Sequence, residues 1–393
     1  MSRQIVAGID IGTSITRVVI AEAVFEGGHP APRIIASGAA ETRGLERGYV
    51  KDIAEATQSI RAAVDKAEKG VGTKIRRAYV SFGGLGLASI TATGSVVITR
   101  ADLEITERDI QLALETAEAL IPPAVSINKR IINTIPIEYK IDGKPAWGNP
   151  LGLKAHKLEA KALFITCLER HLANLIKAVE EADIEVVDVV AAPIAASFVT
   201  VSKRERRVGC LLVNIGAETM SVITFENGNP ISLEVFPVGG EDFTNDIALG
   251  LRISLEEAET AKLGGFSRVS FPKKKLDEIV AARLSDCFEL IERHLKIIGR
   301  DELLPAGIIL AGGNSKIPGL KAFAEEALHL PSSIAEIHFG GTDKGKIKDN
   351  GWATACGLVV LGFNSDGRKS IVSIDSGEKI VKKISRWFAQ FLP

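Results

Sequence analysis

Two stretches, one near the start of the chain and one past its middle, share a rhythm of apolar and polar positions. "GIDIGTSITRVVI", from Gly8, and "LVNIGAETMSVITF", from Leu212, each run as an apolar strand, a turn of small or polar residues and a returning apolar strand. Aligned as I-D-I-G-T-S-I-T-R-V-V-I against V-N-I-G-A-E-T-M-S-V-I-T, they set Asp10 opposite Asn214 and form an internal repeat spaced by about half the chain. A duplicated α/β unit follows, each half giving one hairpin to a central cleft.

Around the hairpins, helical and strand periodicities alternate. "DIAEATQSIRAAVDKAEK" lines Ile53, Ala56, Ile60, Val64 and Ala67 along one helical face, and "RHLANLIKAVEEAD" does so with Leu172, Leu175, Ile176 and Val179. "IEVVDVVAAP" and "AGIILAGG" are short apolar runs suited to buried strands. Two blocks break the rhythm. From about Ser81 to Ile165, strand-like "ASITATGSVVIT", a helix opened by a capping box from Thr106 to Asp109, and strand-like "RIINTIPIEYKIDG" and "KLEAKALFITC" predict a small α+β module set into the first half. From about Glu241 to Leu304 the pattern is mostly helical and includes the long amphipathic "KLDEIVAARLSDCFELIERHLKII". The expected division is 1–80 and 166–203 for a first lobe, 81–165 for its insertion, 204–240 and 305–363 for a second lobe, and 241–304 for a helical subdomain.

After Phe363, "NSDGRKSIVSIDSG" reads as a flexible linker over 364–378. "EKIVKKISRWFAQFLP" then recovers a helical stripe over 379–393, made of Ile380, Val381, Ile384, Trp387, Phe388, Phe391 and Leu392 and flanked by Lys379, Lys382, Lys383 and Arg386. Basic residues beside Trp and Phe suit a helix lying in a bilayer interface. About 15 residues reach only about 22 Å, too short for a hydrocarbon core of about 30 Å. The alternative is docking on the chain's own body or in a partner's groove.

At 393 residues there is room for several compact units, and 46% apolar with 25% charged residues is ordinary for a globular protein, so disorder is not the main expectation. A net charge of −1 gives no overall field for nucleic acid, and none is expected as a partner. Cys167, Cys210, Cys287 and Cys356 stand apart among apolar neighbours and read as buried thiols of a reducing compartment. "MSRQIVAGID" carries no charged-then-apolar leader and no apolar run reaches about 18 residues, so the body is expected to be cytoplasmic and soluble.

A phosphate loop needs backbone N–H groups aimed at oxygens and a carboxylate for the water shell of a metal ion. "DIGTS" meets this with Asp10, Gly12, Thr13 and Ser14. One such turn occurs in many ordinary hairpins; two copies in a duplication, with the glycine pairs of "PVGGEDFTNDIALGL" and "LAGGNSKIPGL", favour a ligand cleft. In "LEEAETAK", Glu256, Glu259 and Lys262 share a helical face, by default a solvated one.

These motifs together resemble the actin/Hsp70-like ATPase superfamily and, within it, most closely the FtsA family of bacterial cell-division proteins, over essentially the whole chain. "GIDIGTS" and "LVNIGAETM" are similar to the family's two phosphate motifs, and "LAGGNSKIPGL" to its adenosine motif. "IPIEYKIDGKPAWGNPLGLKAHKLEAKALFIT" resembles the signature that closes the family's extra subdomain, called 1C, which actin and Hsp70 lack. The resemblance implies an actin-like, ribonuclease-H-like duplicated two-lobed α/β fold with a 1C-type insertion and a C-terminal amphipathic helix. It implies ATP and magnesium as ligands, with Asp10, Gly12, Thr13 and Ser14 at the phosphates and the metal's water. Gly216 and Thr219 would face them from the other side, Gly239 and Gly240 form the floor, and Glu259, Lys262, Gly312, Gly313 and Ser315 line the adenosine. It further implies the FtsZ C-terminal tail as a partner, self-association into filaments, and peripheral attachment to the inner leaflet at the division septum through Ile380, Lys383, Ile384, Arg386, Trp387, Phe388, Phe391 and Leu392. The helical subdomain holding Lys273, Lys274 and Lys275 is the family's FtsZ-binding region, and Arg283 lies in a segment linked there to self-association.

The departures bear on chemistry. Where the family reads D-x-G-G-G-T this chain reads N-I-G-A-E-T. Asn214 offers a neutral carbonyl in place of a carboxylate, which weakens metal binding and nucleophile activation alike. Ala217 gives up some backbone freedom, and Glu218 either points to solvent or sets a carboxylate near phosphate charge. Ala192 stands where relatives often carry an acid or amide near the reacting water. A nucleotide binder with slow or absent turnover is therefore expected. The runners-up are a PilM-type cytoplasmic adaptor of type IV pili, which has no need of the terminal helix, and an Hsp70-like chaperone, for which no substrate-binding β domain follows the second lobe.

Overall fold

The computed structural model describes residues 4–26, 29–265, 271–339 and 347–364. The linker and terminal helix expected beyond 364, including Ile380, Lys383, Ile384, Arg386, Trp387, Phe388, Phe391 and Leu392, lie outside the described residues.

The repeat seen in the sequence becomes two five-stranded sheets with one strand order. In the first, His29–Glu41, Ile15–Glu26, Ile5–Ile11, Arg77–Phe82 and Glu185–Ala191 lie side by side; in the second, Asn229–Phe236, Met220–Glu226, Cys210–Ile215, Ile308–Ala311 and Ser332–Ile334 do. Each sheet joins an antiparallel meander to two parallel strands, the mixed pattern produced when helical crossovers follow a hairpin. Asp10 pairs across the first hairpin with Arg17 and Asn214 across the second with Ser221, each one residue before its strand ends.

Side-chain alternation at period two explains how the second sheet is covered on both faces. Leu212, Ile223, Phe225 and Leu233 join the core that fills the first lobe, whereas Leu211, Val213, Ile215, Met220 and Val222 face helices Lys273–Ile297 and Leu320–Leu328. Two apolar helices, Ala192–Thr200 and Ala353–Asn364, cross in the shared core. Their approach requires Gly357, where an added Cβ would sit 1.7 Å from the carbonyl oxygen of Ala195.

The insertion is a four-stranded antiparallel sheet of Ala88–Val97, Lys157–Leu168, Lys129–Ile141 and Lys144–Ala146, covered on one face by helix Glu107–Ala119. The capping box at its start forms, with the Thr106 N–H donating to Asp109 Oδ2 at 2.8 Å. The insertion leans on the edge strand of the second lobe, where Ser89 Oγ accepts from the Leu233 N–H at 2.8 Å and Asn229 Nδ2 donates to the Ile137 carbonyl at 3.0 Å. All four cysteines are buried thiols. Burial pushes the pKa of Cys210, Cys287 and Cys356 up to about 12. Among the described residues no helix is long and apolar enough to cross a membrane.

Candidate functional site

The first hairpin delivers a buried acid. Asp10 is 9% exposed and accepts from Ser81 Oγ at 2.7 Å, while that same hydroxyl accepts from the Ile11 N–H at 3.3 Å. Burial raises the Asp10 carboxyl above the ordinary range, opposed by the Ser81 hydrogen bond and then by Arg17. A cation or donor arriving beside it would reverse that shift, so the group suits a site that takes up positive charge. Gly12 and Thr13 are half-buried, and Ser14 is exposed at the tip.

The second hairpin is held more tightly. Its turn closes with the Gly216 N–H donating to the Thr219 carbonyl at 2.8 Å. The Gly216 carbonyl accepts from the Gly240 N–H at 2.9 Å and from Asn314 Nδ2 at 2.8 Å, and the Ala217 carbonyl from the Glu241 N–H at 2.8 Å. Gly239 and Gly240 are needed for this contact, since a Cβ on Gly240 would lie 2.1 Å from Asn314 Oδ1. Gly312 is left-handed at φ 91°, and a Cβ there would sit 2.4 Å from Asn214 Oδ1. Asn214 is therefore packed against the Gly312 turn, and the neighbouring Gly313 opens onto free space.

Glu259 and Lys262 form an ion pair, with Lys262 turned inwards. Lys262 is 3% exposed and its Nζ donates to Glu259 Oε2 at 2.7 Å, to the Gly240 carbonyl at 3.0 Å and to Thr244 Oγ1 at 3.1 Å. All three donor positions of the ammonium are taken, so Lys262 braces the glycine pair, and Glu259, its side chain 48% exposed, presents the open side. Glu256 is exposed, as a solvated face predicts. Ser315 is buried, donates to the Gly312 carbonyl at 2.9 Å and accepts from Asn350 Nδ2 at 3.4 Å, which makes it a turn-stabilising residue.

The structure thus gathers the second-hairpin turn, Gly239–Gly240, Lys262 and Gly312–Ser315 into one hydrogen-bonded cluster, and places Asp10 with Ser81 in the other lobe. The link between the two is an element that pattern reading passed over. The small hairpin of Leu45–Glu46 and Tyr49–Val50 turns at Arg47 and Gly48; the Gly48 N–H donates to Thr13 Oγ1 at 3.1 Å and the Arg47 N–H donates to Glu218 Oε2. Glu218 therefore reaches across to the first lobe. The available signal was "RGLERGYV", two glycines bracketing a short alternation. Burial first, and the Glu218 charge second, raises the pKa of the neighbouring Glu241. Ala192 opens helix Ala192–Thr200, its methyl 3.2 Å from where a Cβ on Gly83 would stand.

Outside that cluster, Arg283 is tied to Asp246 at 2.7 Å and Asp286 at 3.2 Å. Lys273, Lys274 and Lys275 begin the long helix, Lys274 standing 3.8 Å from Glu278. Among the described residues no cluster of three or more His, Cys, Asp or Glu side chains could hold a metal ion. A single buried carboxylate such as Asp10 instead fits a magnesium ion that keeps its waters and is held largely by phosphate.

Two sheets of one order, joined through a shared pair of crossing helices, define an actin-like protein with an insertion in its first lobe. A chain of the "PilM-PilN type IV pilus biogenesis complex" superposes with a TM-score of 0.65 at 20% identity, covering 91% of this chain and 98% of that one. The ethanolamine utilization protein EutJ from Carboxydothermus hydrogenoformans gives 0.52 at 17%, covering 92% and 90%. At these identities the likeness is one of fold. The family model "SHS2 domain inserted in FTSA" matches residues 84–166, and "Cell division protein FtsA" matches 211–357. Cell division protein FtsA of Pseudomonas aeruginosa is 30% identical over 417 residues, covering 98% of each chain, and that of Bacillus subtilis is 30% identical over 408, covering 98% of this chain and 89% of its own. The chain belongs to the FtsA family of cell-division proteins.

Proposed function

We propose that this chain holds ATP between its lobes with little or no hydrolysis, polymerises, and tethers FtsZ filaments to the cytoplasmic membrane through residues 379–393. The observation that carries the nucleotide reading is the unequal pair of hairpin turns: Asp10 is a buried acid ready for positive charge, while its counterpart Asn214 is a neutral amide packed on Gly312. Gly12, Thr13 and Ser14 would meet the phosphates from one lobe and Gly216 and Thr219 from the other, with Gly313 and Glu259 on the adenosine side. Magnesium, held through water by Asp10, would supply charge neutralisation for the phosphates. Without a second carboxylate to orient an attacking water, turnover is slow. ATP acts here as a clamp that selects the closed arrangement of lobes and so favours filament contacts.

The membrane reading rests on the basic-aromatic stripe from Lys379 to Leu392. One short helix binds lipid weakly, and a filament presenting many copies would gain by avidity. Flotation with anionic liposomes tests it: the full chain with ATP should rise with the vesicles and a chain ending at Gly377 should not. Both forms staying in the soluble fraction would remove the tether and favour a soluble adaptor. Phosphate release from the full chain tests turnover, and a rate like that of an active Hsp70-type ATPase would contradict the role given to Asn214.

A further inference from the structure

The turn at Arg47 and Gly48 has both residues left-handed, at φ 50° and 76°, the two-residue type I′ form in which the central N–H groups have no partner in their own ladder. The tip is rigidly seated on the first lobe. The Arg47 carbonyl accepts from the Leu85 N–H at 3.2 Å, Gly48 lies so close to Gly84 that a Cβ would come within 2.5 Å of its Cα, and the Tyr49 ring stacks on His171 at 3.6 Å and 10°. Its two outward donors are therefore fixed in space. Thr13, in the first phosphate-loop turn, takes one, and Glu218, reaching over from the second, takes the other. The far side is equally fixed, since the Glu218 turn is bound to Gly240, Glu241 and Asn314.

A solvent-exposed backbone N–H that already donates to a carboxylate is a receptor for an oxyanion. We propose that the Arg47–Gly48 tip is an oxyanion-binding element of the cleft and that Glu218 is its resident anion, displaced when the outermost phosphate of a bound nucleotide takes the Arg47 N–H. This deepens the nucleotide reading given above and rests on it. Glu218 opposes a triphosphate in two ways, by holding the donor and by like charge. It does not oppose the nucleoside.

The test uses the full chain with Glu218→Ala and Glu218→Gln. Calorimetry with magnesium and ATP should show binding at least about tenfold tighter in Glu218→Ala, the worth of one charge-assisted hydrogen bond, with adenosine unchanged and Glu218→Gln between the two. Amide exchange at Arg47 in the nucleotide-free chain should be about tenfold faster in Glu218→Ala than in the parent, and ATP or pyrophosphate should slow it again in the variant. Equal ATP affinity in parent and Glu218→Ala overturns the proposal, as does Arg47 exchange that ignores both the substitution and the added anions. If no form binds ATP but pyrophosphate still protects Arg47 in Glu218→Ala, the oxyanion element stands and the nucleotide reading fails.

Discussion

The two hairpin turns that meet at the Arg47–Gly48 tip are one element built twice, and they have been put to different uses. The first keeps its acid, Asp10, in a buried pocket where only Ser81 and the more distant Arg17 offset the loss of water. The second has exchanged acid for amide at Asn214, and its turn is bonded into Gly240, Glu241 and Asn314, with Lys262 behind them. One copy holds a buried acid whose charged form an arriving cation would favour, and the other is a braced wall. A duplicated fold can divide its chemistry in this way because each turn needs only local strand pairing to form, whereas its function depends on what the opposite lobe presents.

Making the copies alike, or loosening one of them, tests that division. The largest effect is expected at the brace: Lys262→Met leaves Glu259 and the Gly240 carbonyl without their cation and should lower stability by about 3 kcal/mol in chemical denaturation, whereas Thr13→Ala in the first turn should cost about 1 kcal/mol or less. Next, Asp10→Asn gives the first turn the amide of the second and should weaken magnesium-dependent ATP binding by about a hundredfold in calorimetry, with adenosine binding little changed. The reverse exchange, Asn214→Asp, should raise phosphate release by at least about tenfold; if it leaves the rate unchanged, Glu218 and Ala192 limit turnover instead.

The smallest effect is one of pH. Because burial raises the Asp10 carboxyl, the folded chain binds more protons there than the unfolded chain between the unfolded and folded values, and stability falls as pH rises through that window. Asp10→Asn removes this loss and should raise Tm at pH 7, while leaving Tm little changed at a pH below the ordinary aspartate range. A substitution that stabilises the empty protein while weakening its ligand binding is the behaviour expected of a charge kept for function.

Much of the architecture was legible as pattern. The alternation in "LVNIGAETMSVITF" predicts the strands Cys210–Ile215 and Met220–Glu226, and the face through Ile53, Ile60 and Val64 predicts helix Ile53–Val71. The antiparallel pairings and helix of the insertion follow from local runs in the same way. What escaped is what depends on distant partners. Glu218 was readable only as a solvated or repelling carboxylate, because the N–H that receives it lies 171 residues away, and the Thr13 partner lies 35 away. Lys262 and Glu259 were visible as neighbours on a helix, but that Lys262 turns inwards depends on Gly240 and Thr244 packing over it. Ser81 stands one residue before the end of its strand, and the parallel pairing of Arg77–Phe82 with Ile5–Ile11 brings its hydroxyl to Asp10.

The sequence by itself determined the repeat, the strands and helices that build each lobe, the family, and the exchange of Asp for Asn between the two turns, because each rests on short-range periodicity or on residue identity. Tertiary structure alone decided which groups meet: that Asp10 is buried, that Lys262 braces Gly240, and that Glu218 grips the Arg47–Gly48 tip. The physical reason is that burial and hydrogen-bond partnership are properties of pairs brought together by the fold, and for Asp10 with Ser81, Lys262 with Gly240 and Glu218 with Arg47 no run of neighbouring residues contains both members.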